Sequence, residues 1–182
     1  MQDTQTQPAA ALAELEGAYG RLAQEYARVA AEHGHLANQL AACHRLHSTL
    51  DRTEVLLALE EILASLVGCE DAAVYEIRSE EGHYELVARF GVGAAPPTLP
   101  EAVERVVRSG QTFDSPAGAG PISAALPLKV GSRPVGVIVL FRLLPHKPRL
   151  AAADWDLLEL LETHAATALL ASREGPSSRT DP

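Results

Sequence analysis

The chain has 182 residues, 47% of them apolar and 21% charged, the proportions of an ordinary folded domain with an appendage, which sets aside wholesale disorder. A formal charge of −9 with no run of Lys or Arg argues against a nucleic-acid partner, because phosphate binding needs a clustered basic surface. Met1 to Pro8 lack the basic start and apolar core of a secretory signal, and the longest apolar run, Val135 to Phe141, falls far short of the roughly 20 residues that span a bilayer. A cytoplasmic protein without membrane insertion is expected. Cys43 and Cys69 sit in unrelated contexts, so a disulfide framework is not the organising principle.

Residues 1–10 are expected to be a disordered N-terminus. Beyond them Leu12, Leu15, Tyr19, Leu22, Tyr26, Val29, His33, Leu36, Leu40, Cys43, His47 and Leu50 recur in alternating steps of three and four, an unbroken heptad pattern. With Leu12 at position a, Leu dominates d, while polar and aromatic residues intrude at a. Gly17, Gly20 and Gly34 each cost about 1 kcal/mol of helix propensity, yet all fall at the outward b and f positions. About 39 residues make a rod of about 58 Å, more than a domain of this size can cover. Residues 11–50 are therefore expected to form a coiled coil that joins two copies in parallel, with those residues as the dimerisation seam.

Asp51 suits an N-cap, Glu54 completes a capping box, and Leu50 with Val55 fits a hydrophobic staple. A second helix should follow, burying Leu56, Leu59, Ile62, Leu63 and Leu66 and stopping at Gly68. Then the period becomes alternating, the mark of half-buried strands. Ala73, Tyr75 and Ile77 form one strand, Ser79 to Gly82 a turn, and Tyr84, Leu86, Ala88 and Phe90 a second strand. The loop Gly91 to Pro100 leads to a short helix bearing Val103, Val106 and Val107, then a brief strand, Gln111 to Asp114. A stronger hairpin joins Ile122–Val130 to Val135–Arg142 through Gly131, Ser132 and Arg133, its second arm apolar on both faces and so central. A closing helix, Ala152 to Ser172, carries Trp155, Leu158, Leu161, Ala165, Ala168 and Leu169 before a disordered tail, 174–182.

Three stretches carry a family likeness: LDRTEVLLALEEILASLVGCEDAAVYEI (Leu50 to Ile77), AALPLKVGSRPVGVIVLFR (Ala124 to Arg142, with Pro127 after its apolar start and Gly136 before its apolar run) and DWDLLELLETHAATALLASR (Asp154 to Arg173). With the order helix, two strands, helix, strand, hairpin, helix, residues 51–173 resemble the GAF domain family. The resemblance implies an α+β fold, a GAF-like antiparallel sheet with flanking helices, here preceded by a long coiled-coil helix. In some members the sheet face opposite the first and last helices holds a small ligand. This sequence departs from those members. The connection Ser115 to Pro121 is short where ligand-binding relatives carry a longer segment, the cyclic-nucleotide signature is absent, and no Cys or His stands where a bilin or haem is held. Ala151 also replaces the usual Ser or Thr at the N-cap of the closing helix. No cofactor is expected.

Catalysis needs a nucleophile with a base, a metal site or paired carboxylates. Methionine-sulfoxide-reducing members of the family use pocket cysteines, whereas Cys43 falls in the rod and Cys69 follows the second helix; no enzyme is expected. Tyr75, Phe90, Asp114 and Ser115 are the candidate ligand-binding residues, set against the plainer readings of core aromatics and a strand-ending Asp that organises a turn. Cys43 and His47 lie four apart on the seam, so two copies would supply two thiols and two imidazoles, a tetrahedral zinc set. Set against this is a small buried Cys with register-fixing His33 and His47; the latter is preferred and no metal is expected. The chain then reads as a homodimeric, non-catalytic signalling adaptor that passes its signal in trans to an unidentified protein partner, since only a short tail follows the closing helix. The alternative is a small-molecule sensor with its ligand on the sheet face.

Overall fold

The computed structural model describes residues 6–78, 83–91, 101–115 and 120–173. The expected turn at 79–82, the loop 92–100, most of the 115–121 connection and the tail 174–182 lie outside them. The chain divides into two compact units, Met1–Leu40 and Ala41–Pro182.

Helix α1 spans Thr6–Leu46, so it starts inside the stretch expected to be disordered and ends four residues before Leu50. In the first unit it carries a surface ion-pair ladder, Arg28 to Glu25 (3.2 Å) and to Glu32 (2.6 Å), of the kind that adds a few tenths of a kcal/mol per pair to a helix, about 0.2–0.5. Cβ atoms at Gly20 and Gly34 would meet nothing within 4 Å.

The second unit begins with the last turns of α1. Ala42 and Leu46 are 1% and 0% exposed and belong to the main core. They occupy heptad positions c and g, to one side of the a/d line. Helix α2, Arg52–Ile62, opens on Asp51, whose carboxylate accepts the Glu54 N–H at 3.0 Å. The reciprocal half of the capping box is taken instead by Thr49, whose hydroxyl accepts the Asp51 N–H at 3.0 Å. Leu50 stays exposed while Val55 is fully buried, so no staple forms. The last turn widens into a π-helical turn, Leu63–Val67, closed by Gly68 at φ 73, a conformation that favours glycine.

Strands β1 (Cys69–Ile77), β2 (Tyr84–Phe90), β3 (Phe113–Asp114), β4 (Ala124–Val130) and β5 (Arg133–Leu143) form one antiparallel sheet in the order β2-β1-β5-β4-β3. The hairpin turn is tighter than expected. Val130 pairs with Arg133 across only Gly131 and Ser132, and Gly131 has φ 61, as two-residue hairpin turns require. Strand β5, apolar on both faces, lies at the centre of the sheet.

Helix α2, the π turn and α4 (Ala152–Arg173) cover one face of the sheet and build the main core with Val74, Leu126, Ile138 and Leu140. Helix α3 (Glu101–Ser109) covers the other face with Ala102, Val103 and Val106. Helix α4 is capped from within. Asp154 accepts the Ala151 N–H at 2.6 Å and the Lys147 ammonium at 2.7 Å, and Lys147 also donates to the Val67 carbonyl. The Asp154 carboxylate thus supplies the reciprocal half of a capping box, the Asp154 N–H goes to the Ala151 carbonyl at 3.1 Å, and Lys147 ties this helix end to the end of the π turn.

Candidate functional site

Cross-strand register sorts the sheet residues into rows that share a face. One row on the α3 face runs Arg89, Ala73, Val139, Ala125, Phe113, and the next runs Leu86, Tyr75, Val137, Pro127. Small side chains in the middle of the first row let α3 settle close, and Val103 and Val106 are fully buried on this face. Tyr75 is 6% exposed. Burial pushes its phenol pKa up and the nearby Arg89 charge works against that shift. The Nε of Arg89 is buried without a hydrogen-bond partner, and the Arg105 guanidinium stacks over Phe113 at 4.9 Å.

The opposite face carries the row Phe90, Ala72, Leu140, Ala124, Asp114. The four candidate ligand residues are therefore not brought together. Tyr75 faces α3, whereas Phe90 packs in the main core on the other side and borders an open cavity of about 370 Å³ with Leu63, Cys69, Glu70 and Arg142. Asp114 is exposed on edge strand β3, four strand spacings from Phe90, or about 19 Å. The Ser115 N–H donates to the Ser123 carbonyl at 3.1 Å. A β-bulge separates the aromatics. Val74 pairs with Ala88 but Tyr75 with Leu86, so Val87 is the extra residue and the face presented by alternate residues changes along β2.

The polar groups around the cavity satisfy one another. Arg142 reaches Glu70 at 2.8 Å and Asp71 at 2.7 Å, and the Cys69 thiol donates to the Asp71 and Arg142 carbonyls at 3.2 and 3.3 Å. Burial pushes the Cys69 thiol pKa up to about 12. Cys43, half-buried on α1, is also pushed up by burial. Neither cysteine is on the α3 face, and both are held away from the reactive thiolate.

Two clusters gave no signal in the sequence. Glu76, 1% exposed near the end of interior strand β1, has Arg52 of α2 at 2.8 Å, Arg173 of α4 at 2.6 Å and Arg78 at 3.8 Å. His47, just past α1, meets His164 of α4, Nε2 to Nδ1 at 3.0 Å with the rings steeply inclined at 73°. Of the seam residues, Leu12, Leu15, Tyr19, Leu22, Tyr26, Val29, Leu36 and Leu40 are 50–77% exposed. His33, His47 and Leu50 are exposed as well.

A five-stranded antiparallel sheet with α2 and α4 on one face and the short α3 on the other is a three-layer α+β architecture. The chain belongs to the GAF domain family, whose sequence model matches residues 51–171. Among solved structures it is similar to the GAF domain of an Acinetobacter phosphoenolpyruvate-protein phosphotransferase (14% identity, 79% of this chain and 97% of that one, TM-score 0.59). It is similar to the GAF domain of the potassium sensor histidine kinase KdpD from Escherichia coli (18%, 75% and 94%, 0.55). A third similar structure is the free methionine-R-sulfoxide reductase from Neisseria meningitidis in complex with its substrate (16%, 77% and 90%, 0.59). At these identities the likeness is one of fold. No curated protein matches the sequence. No helix among the described residues is long and apolar enough to cross a membrane.

Proposed function

We propose that the protein is a non-catalytic signalling adaptor, a parallel homodimer joined along α1, whose GAF domain engages a protein partner in trans. The observation that carries this reading is the heptad line from Leu12 to Leu40, whose large side chains are at least half exposed on a single chain. Such a continuous apolar line marks an interaction surface. A second copy supplies its complement, because an a/d seam with Leu at most d positions pairs with itself in two strands. Each large side chain so buried contributes about 1.5–3 kcal/mol, which outweighs the glycine penalties of about 1 kcal/mol each.

The thiols support a non-catalytic reading. The Neisseria protein is a reductase, but here the Cys69 thiol stays protonated at neutral pH and lies on the face covered by α2 and α4. The close fit of Val103 and Val106 to the α3 face favours a protein partner over a ligand seated there. A sensor of a small anion is the second reading, favoured by one observation: a buried guanidinium nitrogen without a partner is costly, and the Arg89 Nε beside Tyr75 is such a group.

Native mass spectrometry of the full chain purified from its own host tests both. The expected species has the mass of two chains and no retained small molecule. A retained anionic compound would shift the reading to the sensor, and a monomer at micromolar concentration would sink the dimer.

A further inference from the structure

The pairing of His47 with His164 replaces the thiol–imidazole set that the sequence offered with a different one. We propose that His47 and His164 form half of a zinc site, completed by the same pair from a second copy at the base of the coiled coil. This rests on the parallel dimer proposed above.

The two imidazole nitrogens that face each other are 3.0 Å apart. Tetrahedral zinc with Zn–N bonds of 2.0–2.1 Å holds its ligand nitrogens about 3.3 Å apart. A separation a few tenths of an ångström wider, with both rings turned so that their facing lone pairs converge on one point, would convert the contact into a two-point grip. Without metal, one ring donates to the other. With metal, both facing nitrogens present lone pairs and both outer nitrogens carry the hydrogen, the neutral tautomers that metal-bound histidines use. The rings belong to different elements, the end of α1 and the middle of α4, 117 residues apart.

Among the described residues, no group of three or more His, Cys, Asp and Glu is placed to hold a metal within one chain. Two ligands alone leave zinc half coordinated, so further donors must come from elsewhere. The seam provides them. His47 follows the last helical residue, Leu46, but its N–H still donates to the Cys43 carbonyl at 3.1 Å, so the helical register is kept and His47 falls at position a. In a parallel pair, a positions of the two chains face each other across the two-fold axis. Each His47 brings its own His164 with it, and four imidazole nitrogens gather around that axis. A neutral four-imidazole set suits zinc, and imidazole also accepts Cu(II) or Ni(II), which favour square-planar or tetragonal geometry; tetrahedral placement of the four nitrogens would select zinc. Metal at this point would tie the last turn of α1 to α4 in both chains.

The test uses the full chain stripped with chelator, with zinc chloride and cobalt(II) chloride as probes. Sedimentation velocity gives the dimer dissociation constant with and without zinc, and metal analysis after gel filtration gives the zinc bound per chain. The expected results are a metal-free dimer, one zinc per two chains, dimerisation at least tenfold tighter with zinc, and an intense tetrahedral cobalt(II) visible spectrum. His164→Ala and His47→Ala should each lose the zinc, the tightening and the cobalt spectrum while remaining metal-free dimers with an unchanged circular dichroism spectrum; exposed His146→Ala should behave as the parent. A dimer that takes up no zinc would overturn the metal site and leave the dimer standing. One zinc per chain, or uptake that survives His164→Ala, would also overturn it. A chain that is monomeric with and without zinc would overturn the dimer and the site together.

Discussion

Arg173, the last residue of α4, closes on Glu76 near the end of β1 with two nitrogens, Nη2 at 2.6 Å and Nε at 3.1 Å from the same carboxylate oxygen. Arg52, the first residue of α2, reaches the other oxygen at 2.8 Å. Gly136 lies beside Glu76 in register, and a Cβ there would come within 2.6 Å of the Tyr75 carbonyl. The start of one covering helix and the end of the other are thus fastened to a single buried carboxylate. Breaking a buried ion pair by removing one partner leaves uncompensated charge. Glu76→Ala should lower unfolding stability on the order of 3 kcal/mol, read by urea denaturation. Less than about 0.5 kcal/mol, the range of an ordinary surface change, would show that the cluster holds nothing together.

Leu46 and Ala42 belong to the core of the second unit although they stand on α1. A chain cut to residues 41–182 should therefore fold as a monomer with near-parental stability. Cutting at residue 49 instead removes both core side chains and should cost at least the 2–5 kcal/mol typical of deleting one buried Leu. Thermal denaturation of the two fragments checks this, and equal midpoints would contradict the packing of Leu46.

Leu22→Lys with Leu36→Lys places charges on the heptad line without touching the GAF core. The double variant should be monomeric at concentrations where the parent is dimeric, with an unchanged strand signal in circular dichroism. A spin label at exposed Gly20 should give a label-to-label distance on the order of the 10–12 Å helix diameter in a parallel pair. An antiparallel pair would hold the labels tens of ångströms apart.

The Cys69 thiol has a folded pKa of about 12 against an ordinary value of 9.0. The folded state keeps its proton where the unfolded chain loses it. This contribution to stability is complete below pH 9 and is lost as pH rises towards 12, on the order of 1 kcal/mol per pH unit. Comparing denaturation at pH 8 and pH 10 for the parent and Cys69→Ala should show the steeper loss in the parent. A thiol reagent at pH 8 should modify half-buried Cys43 first and Cys69 only after unfolding; rapid labelling of Cys69 in the native protein would contradict its burial.

Cyclic AMP, cyclic GMP and haem should leave the melting temperature unchanged. A ligand at ten times its dissociation constant stabilises by about 1.4 kcal/mol, enough to read as a shift of several degrees. A reproducible rise with any of the three would move the function from adaptor to sensor.

The sequence by itself determined the elements, because each is written in local periodicity. Steps of three and four mark α1, alternation marks the strands, and Asp51 and Gly68 mark where α2 opens and its final turn closes. The family likeness of residues 51–173 is carried by the same patterns. What only the tertiary structure decided is which face each residue presents and which distant residues meet. Alternation placed Tyr84, Leu86, Ala88 and Phe90 on one face, but the extra residue Val87 opposite β1 turns the strand over partway, so Phe90 joins the main core while Tyr75 faces α3. The heptad pattern runs along α1, and its last turns carry in addition a second apolar line, Ala42 and Leu46, that packs under its own domain. Glu76 looked like any polar position in an alternating strand. Its burial depends on arginines 24 residues before it and 97 after it, and no local rule relates charges so far apart in the chain. The meeting of His47 and His164 is of the same kind: local propensity sets the helices, but long-range packing sets the 3.0 Å between them.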